Sequence, residues 1–131
     1  MNKNNKKLGT DFEREFIEVL QGLGFWAHFI TPDGRGAQPF DIIAVKNNLP
    51  IACDCKTSVK SVFSINRLED NQILAFEMWR KRGNSMPIVA VKYAKQIYLI
   101  RYIDLLEKGR INIEKDTDYV YGVGDLCNIV K

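Results

Sequence analysis

Two aspartates and a lysine stand out in the middle of the chain, since they interrupt apolar, branched segments that favour β-strands. Asn47 and Asn48 separate the two segments, and asparagine tolerates the left-handed backbone of a tight hairpin turn. A two-residue turn there places Asp41 directly opposite Asp54 on one face of the hairpin. Lys56 lies two residues further along the second strand, so it shares that face.

This pairing predicts a cation site. Two facing carboxylates within an otherwise apolar hairpin repel each other and lose hydration, so positive charge is needed between them. Lys56 supplies one charge, and Mg²⁺ suits a site built from a few carboxylates, water and phosphate. The alternative is that both acids lie at exposed strand ends and are simply solvated. The facing register, the adjacent lysine and a nearby glycine-rich loop favour the cation site. A hairpin loop of three or five residues would change which residues face each other and would exclude it.

The elements that must hold these residues follow from periodicity and turn residues. Apolar spacing predicts helices over residues 8–23, 67–82 and 103–108, the second with Asn66 as N-cap and Gly83 as C-cap. Branched and aromatic runs predict strands over residues 25–30, 40–46, 49–56, 87–93 and 96–101. Residues 31–38 form a loop, and the last 20 or so are irregular with at most one more short strand. The order predicts one mixed α/β domain spanning residues 1–131, with helices against a central sheet.

Composition limits the class of protein. Of 131 residues, 46% are hydrophobic, which is enough for one sizeable core. No apolar run approaches the roughly 18 residues of a membrane span, and the lysine-rich N-terminus lacks the apolar stretch of a signal peptide. Three cysteines make no disulfide framework, so we expect a cytoplasmic protein without a membrane. A net charge of +3 permits a nucleic-acid partner.

Three segments in order resemble the PD-(D/E)XK nuclease superfamily: GTDFEREF at residues 9–16, PFD at 39–41 and DCKT at 54–57. Within it, the chain is most similar to small Holliday junction resolvases of the archaeal Hjc type. The segment LEDNQ at 68–72 is also similar to a helix of the RecU resolvases of bacteria and their phages, which leaves a phage-encoded origin open. The likeness covers about residues 8–101. It departs from the resolvases at Asp54, where they more often carry glutamate.

The resemblance implies a restriction-endonuclease-like fold, with a mixed central β-sheet flanked by helices. It also implies a homodimeric endodeoxyribonuclease that uses Mg²⁺, with Mn²⁺ as a substitute, to hydrolyse four-way DNA junctions. The metal ligands would be Asp41, Asp54, Glu13 and the backbone carbonyl of Cys55. Lys56 would act on the attacking water or on the phosphate charge. Two alternatives stay open: a restriction-like or repair nuclease on duplex DNA, and an inactive nuclease fold that only binds DNA.

The predicted catalytic set is Asp41, Asp54, Lys56, Glu13 and Gln72. Two of its members have competing interpretations. Glu13 either binds metal or closes a capping box that begins at Thr10, in which it would satisfy a helix-end amide. Gln72 either holds Lys56 or a water, or is an ordinary residue of the helix surface.

Outside that set, the expected DNA contacts come from a flexible arm with Lys6 and Lys7, from Arg35 in the loop, and from Lys60 and Arg67. Cys53 and Cys55 should face away from the acids as small buried hydrophobes.

Overall fold

A computed structural model describes residues 3–31 and 38–131, with side chains described from residue 9 onward. The helices are α1 (Lys3–Gly22), α2 (Asp70–Lys81), α3 (Tyr102–Lys108) and α4 (Leu126–Ile129). The strands are β1 (Trp26–Phe29), β2 (Ile42–Lys46), β3 (Leu49–Ser58), β4 (Val62–Ser64), β5 (Ile88–Tyr93), β6 (Gln96–Arg101) and β7 (Arg110–Asn112). Short 3₁₀ turns cover Ile65–Arg67, Thr117–Tyr119 and Val123–Asp125.

Five strands form a mixed sheet in the order β1-β2-β3-β5-β6, in which only the β3–β5 pairing is parallel. The β2–β3 hairpin turns at Asn47 and Asn48, whose φ angles of 49° and 65° are both left-handed. Ile42 pairs with Cys53, which confirms the predicted register. The mixed sheet with flanking helices confirms the predicted fold class.

Each face of this sheet carries its own apolar cluster. Helices α1 and α4 pack on one face, against alternate residues of the strands that include Ile42, Ala44, Cys53 and Cys55. Helices α2 and α3 contribute to the cluster on the other face, which contains Ala52, Val89 and Val91. Because strand side chains alternate between faces, Asp54 and Lys56 project on the α2 side with Ala52.

The first helix begins earlier than its apolar pattern indicated. Backbone from Lys3 to Gly22 is helical, so the prediction of a flexible arm carrying Lys6 and Lys7 is wrong. Periodicity detects only the turns that bury an apolar face, and the polar first turns carry no such signal. Since Thr10 and Glu13 lie well inside α1, the capping-box interpretation of Glu13 is also wrong.

The second helix begins later than predicted, at Asp70, with Glu69 as its N-cap. Ser64 caps the separate 3₁₀ turn before it by accepting a hydrogen bond from the amide of Asn66, so the prediction of Asn66 as a helix cap is wrong. The C-cap of α2 is Arg82, one residue before the predicted Gly83, and Gly83 follows it with a left-handed φ of 77°, the position after a cap that favours glycine.

The sequence analysis predicted at most one more short strand near the end of the chain, and β7 is that strand. It pairs with the unexpected strand β4 in a separate two-stranded sheet. Within the described residues, no helix is both long and apolar enough to cross a bilayer.

Candidate active site

The central feature of the site is a carboxylate inside the protein. Asp54 lies in the middle of β3 and is completely buried. Its Oδ1 accepts a hydrogen bond from Gln72 Nε2 at 3.1 Å, and its Oδ2 lies 3.3 Å from Lys56 Nζ. That contact is an ion pair without hydrogen-bond geometry, so Oδ2 has no hydrogen-bond partner among the described residues. Burial and the nearby charge of Asp41 raise the pKa of Asp54 to about 8, although Lys56 opposes the shift.

The second carboxylate, Asp41, is the residue just before β2 and is also buried. Its backbone carbonyl accepts from the amide of Ile30 at 2.9 Å, which continues the β1–β2 ladder by one bond. Its Oδ1 accepts from Gln38 Nε2 at 2.6 Å, and its Oδ2 accepts from the backbone amide of Cys55 at 2.8 Å. The amide of β3 therefore ties this side chain to the strand that carries Asp54.

Glu13 brings a third carboxyl group from α1. Burial, the charge of Asp41 and a hydrogen bond with Asp41 together raise the pKa of Glu13 to about 7. Glu13 and Asp41 line a groove of about 250 Å³, together with side chains from α1 and from the segment after β1: Thr10, Arg14, Phe29, Ile30, Thr31 and Gln38. The structure thus brings together all five residues of the predicted catalytic set.

These residues fit a hard divalent cation. In the part of the chain that the structure describes, no three His, Cys, Asp or Glu side chains already converge as metal ligands. The carboxyl groups are held by N–H donors and by one another. However, the raised pKa values of Glu13 and Asp54 show how costly full ionisation is without more positive charge. Asp54 Oδ2, buried and in contact with Lys56 Nζ but without a hydrogen bond of good geometry, is an oxygen ligand of the kind that Mg²⁺ prefers.

Comparison with known proteins identifies the family. The family model described as archaeal Holliday junction resolvase (Hjc) matches residues 4–131. The chain belongs to that family. It is 30% identical over 129 residues to the crossover junction endodeoxyribonuclease Hje of Saccharolobus islandicus, covering 97% of this chain and 92% of the relative.

A further relative is similar in sequence, and a solved structure is similar in fold. A crossover junction endodeoxyribonuclease of Sulfolobus islandicus rod-shaped virus 1 is 29% identical over 100 residues, covering 76% of this chain and 83% of its own. The solved structure of Archaeoglobus fulgidus Hjc, a Holliday junction resolvase, matches with a TM-score of 0.69 at 19% identity, covering 90% of this chain and 97% of that one. The resemblance to this nuclease family and the predicted enzyme class are confirmed. Membership implies dependence on a divalent metal.

Gln72 has a clearer position in this resolvase-family chain than the sequence suggested. It is buried, so the prediction of an ordinary helix-surface residue is wrong. Its Oε1 accepts from the backbone amide of Glu69 at 2.9 Å, closing a capping box at the start of α2. Its Nε2 holds Asp54 rather than Lys56. One side chain therefore fixes both the helix end and the buried carboxylate.

The predicted DNA contacts are only partly described. Lys60 and Arg67 are exposed beyond the end of β3, and they line a groove of about 520 Å³ together with Arg110. Arg67 is also structural, since its Nη2 donates to the carbonyl of Thr57 at 2.7 Å. The side chains of Lys6 and Lys7, and all of Arg35, lie outside the described residues.

Sequence reasoning missed three residues near these features: Gln38, Asn71 and Arg110. Asn71 adjoins a predicted site residue, Gln72, and that adjacency was the only available signal for it. The sequence contained no signal for Arg110, because β4 and its pairing with β7 were not predicted. Cys53 and Cys55 are buried in the cluster on the α1 side, as predicted.

Proposed function

We propose that this chain is a Mg²⁺-dependent endodeoxyribonuclease that hydrolyses phosphodiester bonds in four-way DNA junctions. The observation that carries the proposal is the buried Asp54, paired with Lys56 and crowded by Asp41, in a chain of the resolvase family. A buried carboxylate beside a second one costs stability unless the site binds positive charge. A domain with only a structural role would gain nothing from that loss of stability.

Asp41, Asp54, Glu13 and the backbone carbonyl of Cys55 would hold the cation, and Mn²⁺ would substitute for Mg²⁺. The bound ion would lower the pKa of water and neutralise charge on the phosphate. Asp41 already receives two N–H donors, so its carboxylate orientation is fixed before any ligand arrives. Gln72 fixes Asp54 in the same way.

Besides the bound cation, Lys56 supplies positive charge to the site from the protein itself. Its Nζ lies 3.3 Å from Asp54 Oδ2, and its side chain is 17% exposed, so it would contact both Asp54 and a phosphate bound at the site. We assign it the stabilisation of charge that builds on the phosphate and the orientation of the attacking water.

DNA would lie along the groove that follows the catalytic strand. Lys60, Arg67 and Arg110, with the hydroxyls of Ser58 and Ser64, line a surface suited to phosphates. Lys6, Lys7 and Arg35 would add contacts on other arms. Replacing Lys60 or Arg110 by Ala should weaken junction binding, and the log–log slope of affinity against salt should flatten by about 0.9 for each phosphate that is no longer neutralised. Lys81→Ala, an exposed lysine on α2 away from the groove, is the matched control.

The working form would be a two-fold symmetric homodimer, because resolving a junction requires two matched cuts. Leu74 and Met78 lie one turn apart on α2 and are 61% and 49% exposed, which suits a subunit contact. Leu74→Glu should then yield monomers in sedimentation, whereas Leu106→Glu on the exposed side of α3 should not.

One experiment separates this function from the alternatives. Labelled linear duplex, flap and four-way DNA are each incubated with the protein, with and without Mg²⁺. Symmetric cleavage of the four-way DNA only with Mg²⁺ supports the proposal. Equal cutting of linear duplex would favour a repair or restriction-like nuclease, and binding without cutting would favour an inactive module.

A further inference from the structure

One helix end is linked to both buried acids, directly to Asp54 and through Gln38 to Asp41. Gln72 reaches Asp54 directly. Its neighbour Asn71 donates from Nδ2 to the backbone carbonyl of Gln38 at 2.7 Å, and Gln38 in turn donates from Nε2 to Asp41 Oδ1 at 2.6 Å. Two consecutive residues of α2 therefore help to hold two carboxylates, Asp54 within β3 and Asp41 just before β2.

This second route adds a polar tie to a segment that Phe40 already anchors by packing on Phe76 and Trp79 of α2. The pairing of β2 with β3 begins at Ile42, so residues 38–41 lie outside that pairing, and the carbonyl of Asp41 is held by the amide of Ile30 from the β1 side. Gln38 is separated from Asn71 by 33 positions in sequence, and their bond is a long-range tie. Without it, the backbone at residue 38 would lose its described anchor on α2, and the Gln38 amide would lose its fixed position against Asp41.

We propose that Gln38 and Asn71 are positioning residues that set the carboxylate of Asp41 for metal binding. The inference rests on the proposed function, since it assigns these residues a purpose at the same site. Asp41 Oδ2 is held by the backbone amide of Cys55, which every substitution except proline leaves in place, whereas Oδ1 depends on the Gln38 side chain. Hydrogen bonds of this kind to a metal-binding carboxylate affect metal affinity by about 10- to 100-fold.

Two substitutions separate the two links. Gln38→Met keeps the side-chain length and removes the donor to Asp41, while the backbone carbonyl that Asn71 holds remains. Asn71→Ala removes the anchor and leaves the Gln38 amide present but untethered. Both residues are only partly buried, so the fold should survive, and circular dichroism verifies this. Gln21→Ala and Asn128→Ala replace exposed amides on α1 and α4 and serve as controls.

The main readout is Mg²⁺ binding to the free protein by calorimetry, which needs no cleavage. Both variants should bind Mg²⁺ about 10-fold or more weakly. In junction cleavage, the Mg²⁺ concentration for half-maximal rate should rise by a similar factor, while junction affinity in Ca²⁺ stays the same. The double variant should lose less than the product of the two single losses, because both act through Asp41.

The outcomes distinguish this inference from the proposed function. Wild-type Mg²⁺ affinity and half-maximal concentration in both folded variants would overturn the positioning role while leaving the nuclease activity intact. If the wild type binds Mg²⁺ and the variants bind it more weakly, but four-way DNA is never cut, the proposed function fails and the positioning role stands. Absence of Mg²⁺ binding by the wild type would overturn both.

Discussion

The two faces of strand β3 use the same backbone for opposite purposes. On one face, Cys53 is fully buried among apolar side chains and needs only to fit the space between sheet and α1. On the other face, Asp54 is equally buried, yet it requires Gln72, Lys56 and a raised pKa to be accommodated. A buried ionisable group costs free energy that an apolar residue does not. If Asp54 has the proposed role in the active site, stability and catalysis are separated within one strand, residue by residue.

The largest expected effect concerns the charged face. Lys56→Ala should reduce single-turnover cleavage of four-way DNA by about 10²–10³-fold, because the site loses its own positive group for the phosphate. Junction binding should fall much less, since Lys60 and Arg110 remain in the groove. Cleavage at more than a tenth of the wild-type rate at saturating Mg²⁺ would show that Lys56 is only a structural partner of Asp54.

The next effect is a pH dependence that the apolar face cannot produce. The pKa values of Glu13 and Asp54 rise from ordinary values of 4.5 and 3.8 to about 7 and about 8 in the folded protein. Between about pH 4 and pH 8 the unfolded chain therefore releases protons that the folded chain retains. The contribution of these two carboxyl groups to the stability of the metal-free protein should be greatest below this window and should be lost as pH rises through it.

Thermal unfolding across this window measures that dependence directly. Mg²⁺ should raise the melting temperature more at pH 8 than at pH 6, because it binds the ionised folded form. Asp54→Asn should flatten both trends. A metal-free melting temperature that rises steadily from pH 5 to pH 8 would contradict the assigned environment of these carboxyl groups.

The smallest effect belongs to the apolar face. Cys53→Ala removes a buried sulfur and should cost about 1 kcal/mol of stability, as small cavities do. Cleavage of four-way DNA should stay at the wild-type rate, because its side chain packs away from the acids. A loss of rate comparable to that of Lys56→Ala, in a folded variant, would mean that the two faces are not independent.

Much of this arrangement was predictable, because strand alternation and hairpin geometry are local. Asn47 and Asn48 predicted the position of the turn, and that position fixed the register of the hairpin. The register in turn predicted that Asp41, Asp54 and Lys56 lie together. The β5–β6 turn at Ala94 and Lys95 has the same left-handed backbone without favourable residues, and there only the spacing of the strands indicated it.

What the sequence could not give depends on contacts between distant segments. The bond between Asn71 and Gln38 joins a helix to a loop, and the pairing of β4 with β7 joins segments on either side of α2, β5, β6 and α3. No local pattern encodes such contacts. The polar beginning of α1 was missed for a different reason, since a helical turn without an apolar face has no periodic signal.

The most direct test of the account is Asp54→Asn, which keeps the shape of the side chain while removing its charge. We expect a folded protein that binds four-way DNA at least as tightly as the wild type, because one negative charge no longer repels phosphate. With Mg²⁺, single-turnover cleavage should fall by about 10²–10³-fold or more. A folded Asp54→Asn protein that cuts four-way DNA at the wild-type rate would contradict the assignment of this buried carboxylate to the active site.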